Sequence, residues 1–303
     1  MIDFQPLKLE NKEAYEKLLR SRGERGCEYS FVNLYLWGRQ KAALIGENLV
    51  FFSQFNRKSV YLFPVGTGDR KPALEAVMAD ARERGIPCRF VGLTQDDCAE
   101  LESLYPGKLR YHFDRDTFDY VYDIDDLADL KGRKFQKKRN HLNRFREQNP
   151  GHTLEPITRE NMPQVKELVQ RWYQLRLQDN PHGDYQLEQA ALKKALDQWD
   201  VLGLEGLLLR TEQGPVAMTV GSRLSENTVD IHFEKALDIA DGAYAAINNG
   251  FARYLREKYP QVRFLNREDD LGLEGLRKAK LSYCPHHMVE KSWAHLLEDG
   301  YDY

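Results

Sequence analysis

The stretch "TVDIHFEKALDIADGAYAAINNGFARYLREKYP" (228–260) decides the fold. Its first nine residues, after a turn at Glu226-Asn227, read as a strand. Residues 242–260 then read as a long helix, with Ala243, Ile247, Phe251 and Leu255 near one face. Upstream, "LEGLLLR" (204–210) and "VAMTVGSRL" (216–224) form a hairpin around Gln213-Gly214-Pro215, after helical stretches at 160–178 and 185–199. Downstream come a strand at 262–266, a short helix at 273–281 and a strand at 286–293.

The first half repeats that order. A hairpin at 41–55 turns at Gly46-Glu47-Asn48, and a strand follows at 59–65. A helix from Lys71 to Gly85 carries Pro72 in its first turn and Gly85 as its C-terminal cap. A strand (88–93), a short helix (95–104) and a strand (118–124) complete it. Both halves therefore run hairpin, strand, long helix, strand, short helix, strand. A mixed sheet flanked by helices on both sides buries those faces most simply, an α/β (α+β) chain of two similar half-domains. The expected division is 1–125, a basic linker helix at 126–150, and 151–303.

At 303 residues the chain exceeds one comfortable hydrophobic core, which agrees with two domains. The four cysteines are scattered without a CxxC pair, which suits a reducing compartment and argues against a disulfide framework. The N-terminus has no secretory pattern, and no apolar run approaches the roughly 20 residues of a membrane span. A soluble, cytoplasmic protein with no transmembrane segment is expected.

Three segments carry a family resemblance: "LKGRKFQKKRNHLNRF" (130–145), "NREDDLG" (266–272) and "GLRKAKLSYCP" (275–285). With the element order, which is that of GNAT acyltransferases, they resemble the family sharing the C-terminal catalytic domain of phosphatidylglycerol lysyltransferases. More distantly, the second half resembles the Fem peptidyltransferases. The resemblance implies two tandem GNAT-like domains and transfer of an amino acid from an aminoacyl-tRNA donor to a small-molecule, peptide or lipid-headgroup acceptor. Two departures point away from phosphatidylglycerol as acceptor. The multi-span membrane region of the lipid-modifying enzymes is not expected here, and "NREDDLG" replaces a small-residue ending with acids.

Within 131–145, seven of fifteen residues are Lys or Arg, while 114–130 holds seven Asp against one Arg. On a helical wheel Phe135, Leu142 and Phe145 form a narrow apolar stripe. Arg133, Lys137 and Arg144 line the other face, and Lys138 adds to the charge. This row reads either as a solvated linker helix facing the acidic run, or as an anion site for tRNA phosphates, a coenzyme or a headgroup. Lys131, Arg133 and Lys134 crowd the first turn, where the macrodipole disfavours cations.

A coenzyme A enzyme of this fold grips pyrophosphate at the turn before the long helix. In the second half that turn, 236–244, offers one glycine, Gly242, and two repelling acids, Asp238 and Asp241. In the first half Gly66-Thr67-Gly68 is placed correctly but is weak evidence. No cofactor is therefore expected, with a coenzyme A thioester donor as the alternative. Acyl transfer to an amine needs a proton acceptor and positive groups facing the developing oxyanion. His232 and Glu234 lie two apart on one strand face. Asn266 ends the next strand, with Arg267, Glu268 and Asp270 beyond it. The following helix brings Arg277, Lys278 and Lys280, and Tyr283 follows. The expected catalytic groups are Glu268, Asp270, Glu234 and His232. Asn266, Arg267, Arg277, Lys278, Lys280 and Tyr283 are expected to bind substrate; the resemblance singles out Lys280. The acids could equally pair with Arg267, Arg277 and Lys278 as a structural network. Adjacent His286 and His287 should point to opposite strand faces, so no metal is expected. The first half has no equivalent cluster and is expected to be a scaffold. A non-catalytic anion- or tRNA-binding module stays open beside the enzyme reading.

Overall fold

The structure, a computed structural model, describes residues 1–55, 58–181 and 183–297. The chain packs into two compact units. The first comprises Met1–Asp119, Asp269–Leu273 and the segment from Met288 onward; the second comprises Tyr120–Glu268 and Glu274–His287. These differ from the contiguous halves expected from the element order, and the strand pairing gives the reason.

The first unit's sheet is built from β1 (Gln5–Pro6), β2 (Gln40–Ile45), β3 (Asn48–Phe55), β4 (Lys58–Gly66), β5 (Arg89–Leu93) and β6 (Leu109–Phe113), a strand the sequence pattern does not reveal. Its helices are α1 (Lys12–Leu19), α2 (Phe31–Trp37), α3 (Lys71–Arg84) and α4 (Gln95–Leu104). The end of α3 is as the sequence dictates, with Gly85 left-handed at φ 65°. Thr94 and Asp97 cap α4 reciprocally.

The second unit starts at Tyr120 within β7 (Asp119–Asp123) and continues with α5 (Ile124–Asp129), α6 (Gln136–Gln148) and β8 (Thr153–Pro156). Then come α7 (Met162–Asp179), α8 (Gln186–Asp197), α9 (Trp199–Leu202), β9 (Glu205–Thr211), β10 (Gly214–Arg223) and β11 (Thr228–Ala236). It ends with α10 (Ala243–Lys258), β12 (Phe264–Asn266), α11 (Glu274–Leu281) and β13 (His287–Val289). The last strand of the chain is β14 (Ser292–Leu296).

The sheet orders are β1-β2-β3-β4-β5-β14-β6 and β13-β7-β12-β11-β10-β9-β8. Read from β1 and from β8, they are the same arrangement, with β7 and β14 exchanged. Strand β14 lies antiparallel between β5 and β6, and Ala294, opposite Phe90 and Tyr111, is fully buried. Strand β7 pairs with β12 through Leu265 opposite Tyr122. The stretch 286–293, expected as one strand, is thus the parts of two strands in two sheets. Two units, each a mixed sheet with flanking helices, are the architecture.

The basic helix belongs to the second unit. It starts later than its composition suggests: Arg133–Phe135 is a 3-10 turn and α6 proper begins at Gln136. Arg133 and Lys134 therefore lie in the turn leading into the helix N-terminus, with Lys131 just before it, rather than in the helix's first turn. Phe135, Leu142 and Phe145 are buried as the wheel predicts. The acidic run is shared between two sets of cations. Lys131 pairs with Asp129 and Lys134 with Asp126, while Arg256 of α10 reaches Asp125 and Asp129. Asn249 and Arg253 of α10 donate to the carbonyls of Leu127 and Ala128 at the end of α5. Those are the carbonyls a helix end leaves without partners. Among the described residues no helix is long and apolar enough to cross a membrane.

Ending the chain at Lys291 removes β14 from the interior of the first sheet. Hydrogen exchange should then show loss of protection in β5 and β6, with β9–β11 still protected. Retained protection in β5 and β6 would contradict the exchanged arrangement.

Candidate active site

The parallel ladder of β11 and β12 joins Thr228 to Phe264 and Val229 to Leu265, and ends with Asp230 opposite Asn266. Beyond that point β11 runs on to Ala236 while β12 has ended, so the two strands part. The gap is a cavity of about 510 Å³. His232, Glu234, Lys235, Arg267, Glu268, Lys280 and Tyr283 are among its lining residues, with Lys138 from α6.

The turn after β12 is held from several directions. Asn266 Oδ1 accepts the Glu268 N–H at 2.7 Å, and the Glu268 carbonyl accepts from Tyr120 N–H at 3.1 Å. Lys280, 8% exposed, donates from Nζ to the carbonyls of Arg267 (2.5 Å) and Glu268 (3.1 Å). These bonds hold Glu268 at φ 57°, a conformation costing a side-chain-bearing residue about 1–3 kcal/mol. The backbone bonds of the turn therefore present the Glu268 and Arg267 side chains to the cavity. Asn266 and Lys280, expected to bind substrate, act here on the main chain.

Arg267 donates to Glu234 at 2.9 Å and lies over the rings of Tyr283 and Tyr122. Burial opposes its charge, but Glu234 and the tyrosines outweigh that and raise its pKa. Lys138 places Nζ 3.7 Å from the Tyr283 ring centre. Burial, then the Arg267 charge, lower its pKa to about 8. Burial pushes Tyr283 up to about 12, so it stays a neutral phenol. On another wall Lys235 bonds Glu188 at 2.6 Å and lies 4.0 Å from the Trp172 ring centre. Burial lowers the Lys235 pKa although Glu188 works the other way.

His232 receives its setting from both neighbouring strands. Its Nε2 is 2.8 Å from Ser222 Oγ on β10. Its Nδ1 is 3.6 Å from Asp230 and 3.5 Å from Glu268. Sequence reasoning alone does not single out Asp230 and Ser222. The available signal was the period-two run Asp230, His232, Glu234 along β11, which puts three polar groups on one face.

A second cavity of about 430 Å³ shares Lys138, Tyr244 and Tyr283 with the first and runs along the start of α10. Gly242 caps that helix at φ 82°, and a Cβ there would lie 2.4 Å from the His141 carbonyl of α6. Only glycine allows α6 this close. The two acids of the turn are paired, Asp241 with Arg144 and Asp238 with Arg176.

Several expected residues lie elsewhere. Asp270 belongs to the first unit, where it accepts the Gly272 N–H and faces Arg115 at 3.7 Å. Lys278 is exposed and pairs with Glu274 of its own helix, and neither it nor Arg277 lines the cavity. Of the basic row, Arg144 is taken up by Asp241 and Lys138 turns into the cavity, leaving Arg133 and Lys137 exposed. The His286 and His287 rings lie together, Nδ1 to Nδ1 at 2.8 Å, rather than on opposite faces, because His286 precedes β13. In the first unit, β4 beyond its short ladder with β5 carries buried Phe63 and Val65.

Residues 19–295 match the family model described as phosphatidylglycerol lysyltransferase, C-terminal. The chain belongs to that family. A conserved protein of unknown function from Bacteroides thetaiotaomicron VPI-5482 is 37% identical, with a TM-score of 0.92 over 98% of this chain and 100% of that one. L-PGS from Bacillus licheniformis has a TM-score of 0.69 at 18% identity, over 98% of this chain and 95% of that one. FemX has a TM-score of 0.60 at 11% identity, over 98% of both chains. Family and fold are those of GNAT-like acyltransferases.

Replacing Lys280 with Met should lower stability by about 1–3 kcal/mol in urea denaturation, since the Arg267 carbonyl loses the Lys280 donor and the Glu268 carbonyl keeps only Tyr120 N–H. Lys278→Ala should stay within about 0.5 kcal/mol of wild type. The Lys138 charge fades as pH rises through about 8. Binding of inorganic pyrophosphate, read by calorimetry, should therefore weaken from pH 7 to 9 in the wild type. In Lys138→Gln that pH dependence should be absent.

Proposed function

We propose that this chain transfers an aminoacyl group from an ester-linked tRNA donor to an amine or hydroxyl acceptor. One observation carries the reading: the cavity where β11 and β12 part is lined both by cations, Lys138 and Arg267, and by His232 and Glu268. Acyl transfer needs both kinds of group. As the acceptor attacks the ester carbonyl, negative charge grows on its oxygen, and a positioned cation stabilises it. The acceptor must also lose a proton, for which the imidazole and carboxylate are suited. The ribose oxygen leaves with the bonding pair and takes a proton, so the exchange balances.

The shared wall at Lys138, Tyr244 and Tyr283 supports a donor whose phosphates and sugar lie along α10 while its acyl carbon reaches the larger cavity. Arg133 and Lys137, exposed on the chain approaching that cavity, suit a polyanion longer than a coenzyme. The acyl-coenzyme A alternative is disfavoured because α6 closes on Gly242, the one glycine of the turn.

The test is transfer from a panel of charged tRNAs, with acetyl-coenzyme A and longer acyl thioesters as the competing arm. Label should move from a charged tRNA to an amine or hydroxyl acceptor. Lys138→Met and Glu268→Gln should each lower kcat/KM by roughly 100- to 1,000-fold, with the fold intact by circular dichroism. Arg133→Gln with Lys137→Gln should weaken tRNA binding and reduce its salt slope by about 1 for each phosphate no longer neutralised. Transfer from acyl thioesters alone, or tRNA binding unchanged in the double variant, would overturn the donor assignment.

A further inference from the structure

We infer that Asp230, His232 and Glu268 form a binding site for a first-row divalent cation at the acidic side of the cavity. The ligand atoms are a carboxylate oxygen of Asp230, Nδ1 of His232 and a carboxylate oxygen of Glu268, all within 4.8 Å of one another. The measured separations from Nδ1, 3.6 Å to Asp230 and 3.5 Å to Glu268, are close to the ligand spacing of a four-coordinate metal. Metal–ligand bonds of about 2.0–2.2 Å in a tetrahedron leave neighbouring ligand atoms roughly 3.4 Å apart.

The imidazole supplies the independent observation. The His232 side chain is 2% exposed, and its Nδ1 is buried with no hydrogen-bond partner while aimed between two carboxylates. Ser222 Oγ lies 2.8 Å from Nε2 and can accept its hydrogen, which leaves Nδ1 as the ligand atom. When Nε2 donates its hydrogen to Ser222, Nδ1 presents a lone pair to the space between the two carboxyl groups, where a cation can take it. A ligating histidine characteristically donates its other ring N–H in this way. The chain positions the ligands without strain on the strands. Asp230 and His232 lie two apart on one face of β11, and the bound turn after β12 brings in Glu268. One nitrogen and two carboxylates suit zinc, manganese, cobalt or ferrous iron better than the larger calcium. The first unit holds a comparable group, Cys27, Glu28 and Asp119, but there the Lys291 ammonium fills the centre, 2.5 Å from Glu28 and 2.7 Å from Asp119. That group has its cation built in.

The inference rests on reading His232 and Glu268 as the acceptor's part of the cavity and refines it: a cation held there would ease loss of the acceptor's proton as a Lewis acid, in place of proton acceptance by those two side chains. The experiment uses the full chain, treated with a chelator, dialysed, and titrated with Co2+ and then Zn2+ without any substrate. Cobalt should bind saturably and stoichiometrically, with the visible absorption of a low-coordinate site, and zinc should displace it. His232→Gln and Asp230→Asn should weaken binding by more than roughly 100-fold, and Ser222→Ala by the roughly 10- to 100-fold typical of a group that only supports a ligand. Absence of saturable binding by the wild type would overturn the inference, as would undiminished binding in His232→Gln. If buried variants fail to fold, Glu268→Gln decides, since that side chain is 23% exposed and its loss should still weaken cobalt binding. A metal-loaded protein that transfers nothing would overturn the functional reading alone. A transferase indifferent to chelation that binds no cobalt would overturn the metal site alone.

Discussion

The parallel ladder between β11 and β12 stops at Asp230 opposite Asn266, and the second unit's cavity depends on that stop. A parallel pair of sheet strands normally buries its side chains on both faces. Here the longer strand continues without its neighbour, so polar residues can face a cavity instead of a core. The stop is enforced rather than accidental. Asn266 folds the chain back on itself, Glu268 takes a left-handed conformation, and Lys280 with Tyr120 holds the freed carbonyls. Buried backbone groups need partners, and a buried ammonium serving two carbonyls satisfies three needs at once.

Around that cavity, opposite charges are placed so that most are compensated. Glu234 has Arg267 and Glu188 has Lys235. Losing either partner of such a pair would leave the other without its counter-charge at the cavity wall. Lys138 differs. It rests on an aromatic face, near a second cation, and its pKa falls toward the working range of a cell. A cation held this loosely is more responsive to an incoming anion than one already bonded to a carboxylate.

The first unit has the same strand order but a different interior. Phe63, Val65 and Phe90 are buried around its parallel pair, and its charged group, Lys291 with Glu28 and Asp119, is closed on itself. The exchange of β7 and β14 makes both sheets depend on residues far away in sequence. Each places an interior strand only after the rest of the chain exists, so the sheets are built from long-range contacts.

The sequence by itself determined the elements and the family. Period-two and period-3.6 patterns located the hairpins, the long helices and their glycine caps, because those signals are local. The segments at 130–145 and 266–285 were sufficient for the family, and the polar face of β11 for the neighbourhood of the site. Tertiary structure alone decided where the last strands go, since a strand's pattern states which face is buried and not which sheet buries it. It also separated Glu268 from Asp270, two residues apart yet in different units. It turned Lys280 from an apparent substrate ligand into a main-chain anchor. It brought Ser222 and Asp230 beside His232. Those roles are set by which groups meet across strands, and distance along the sequence carries no record of that meeting.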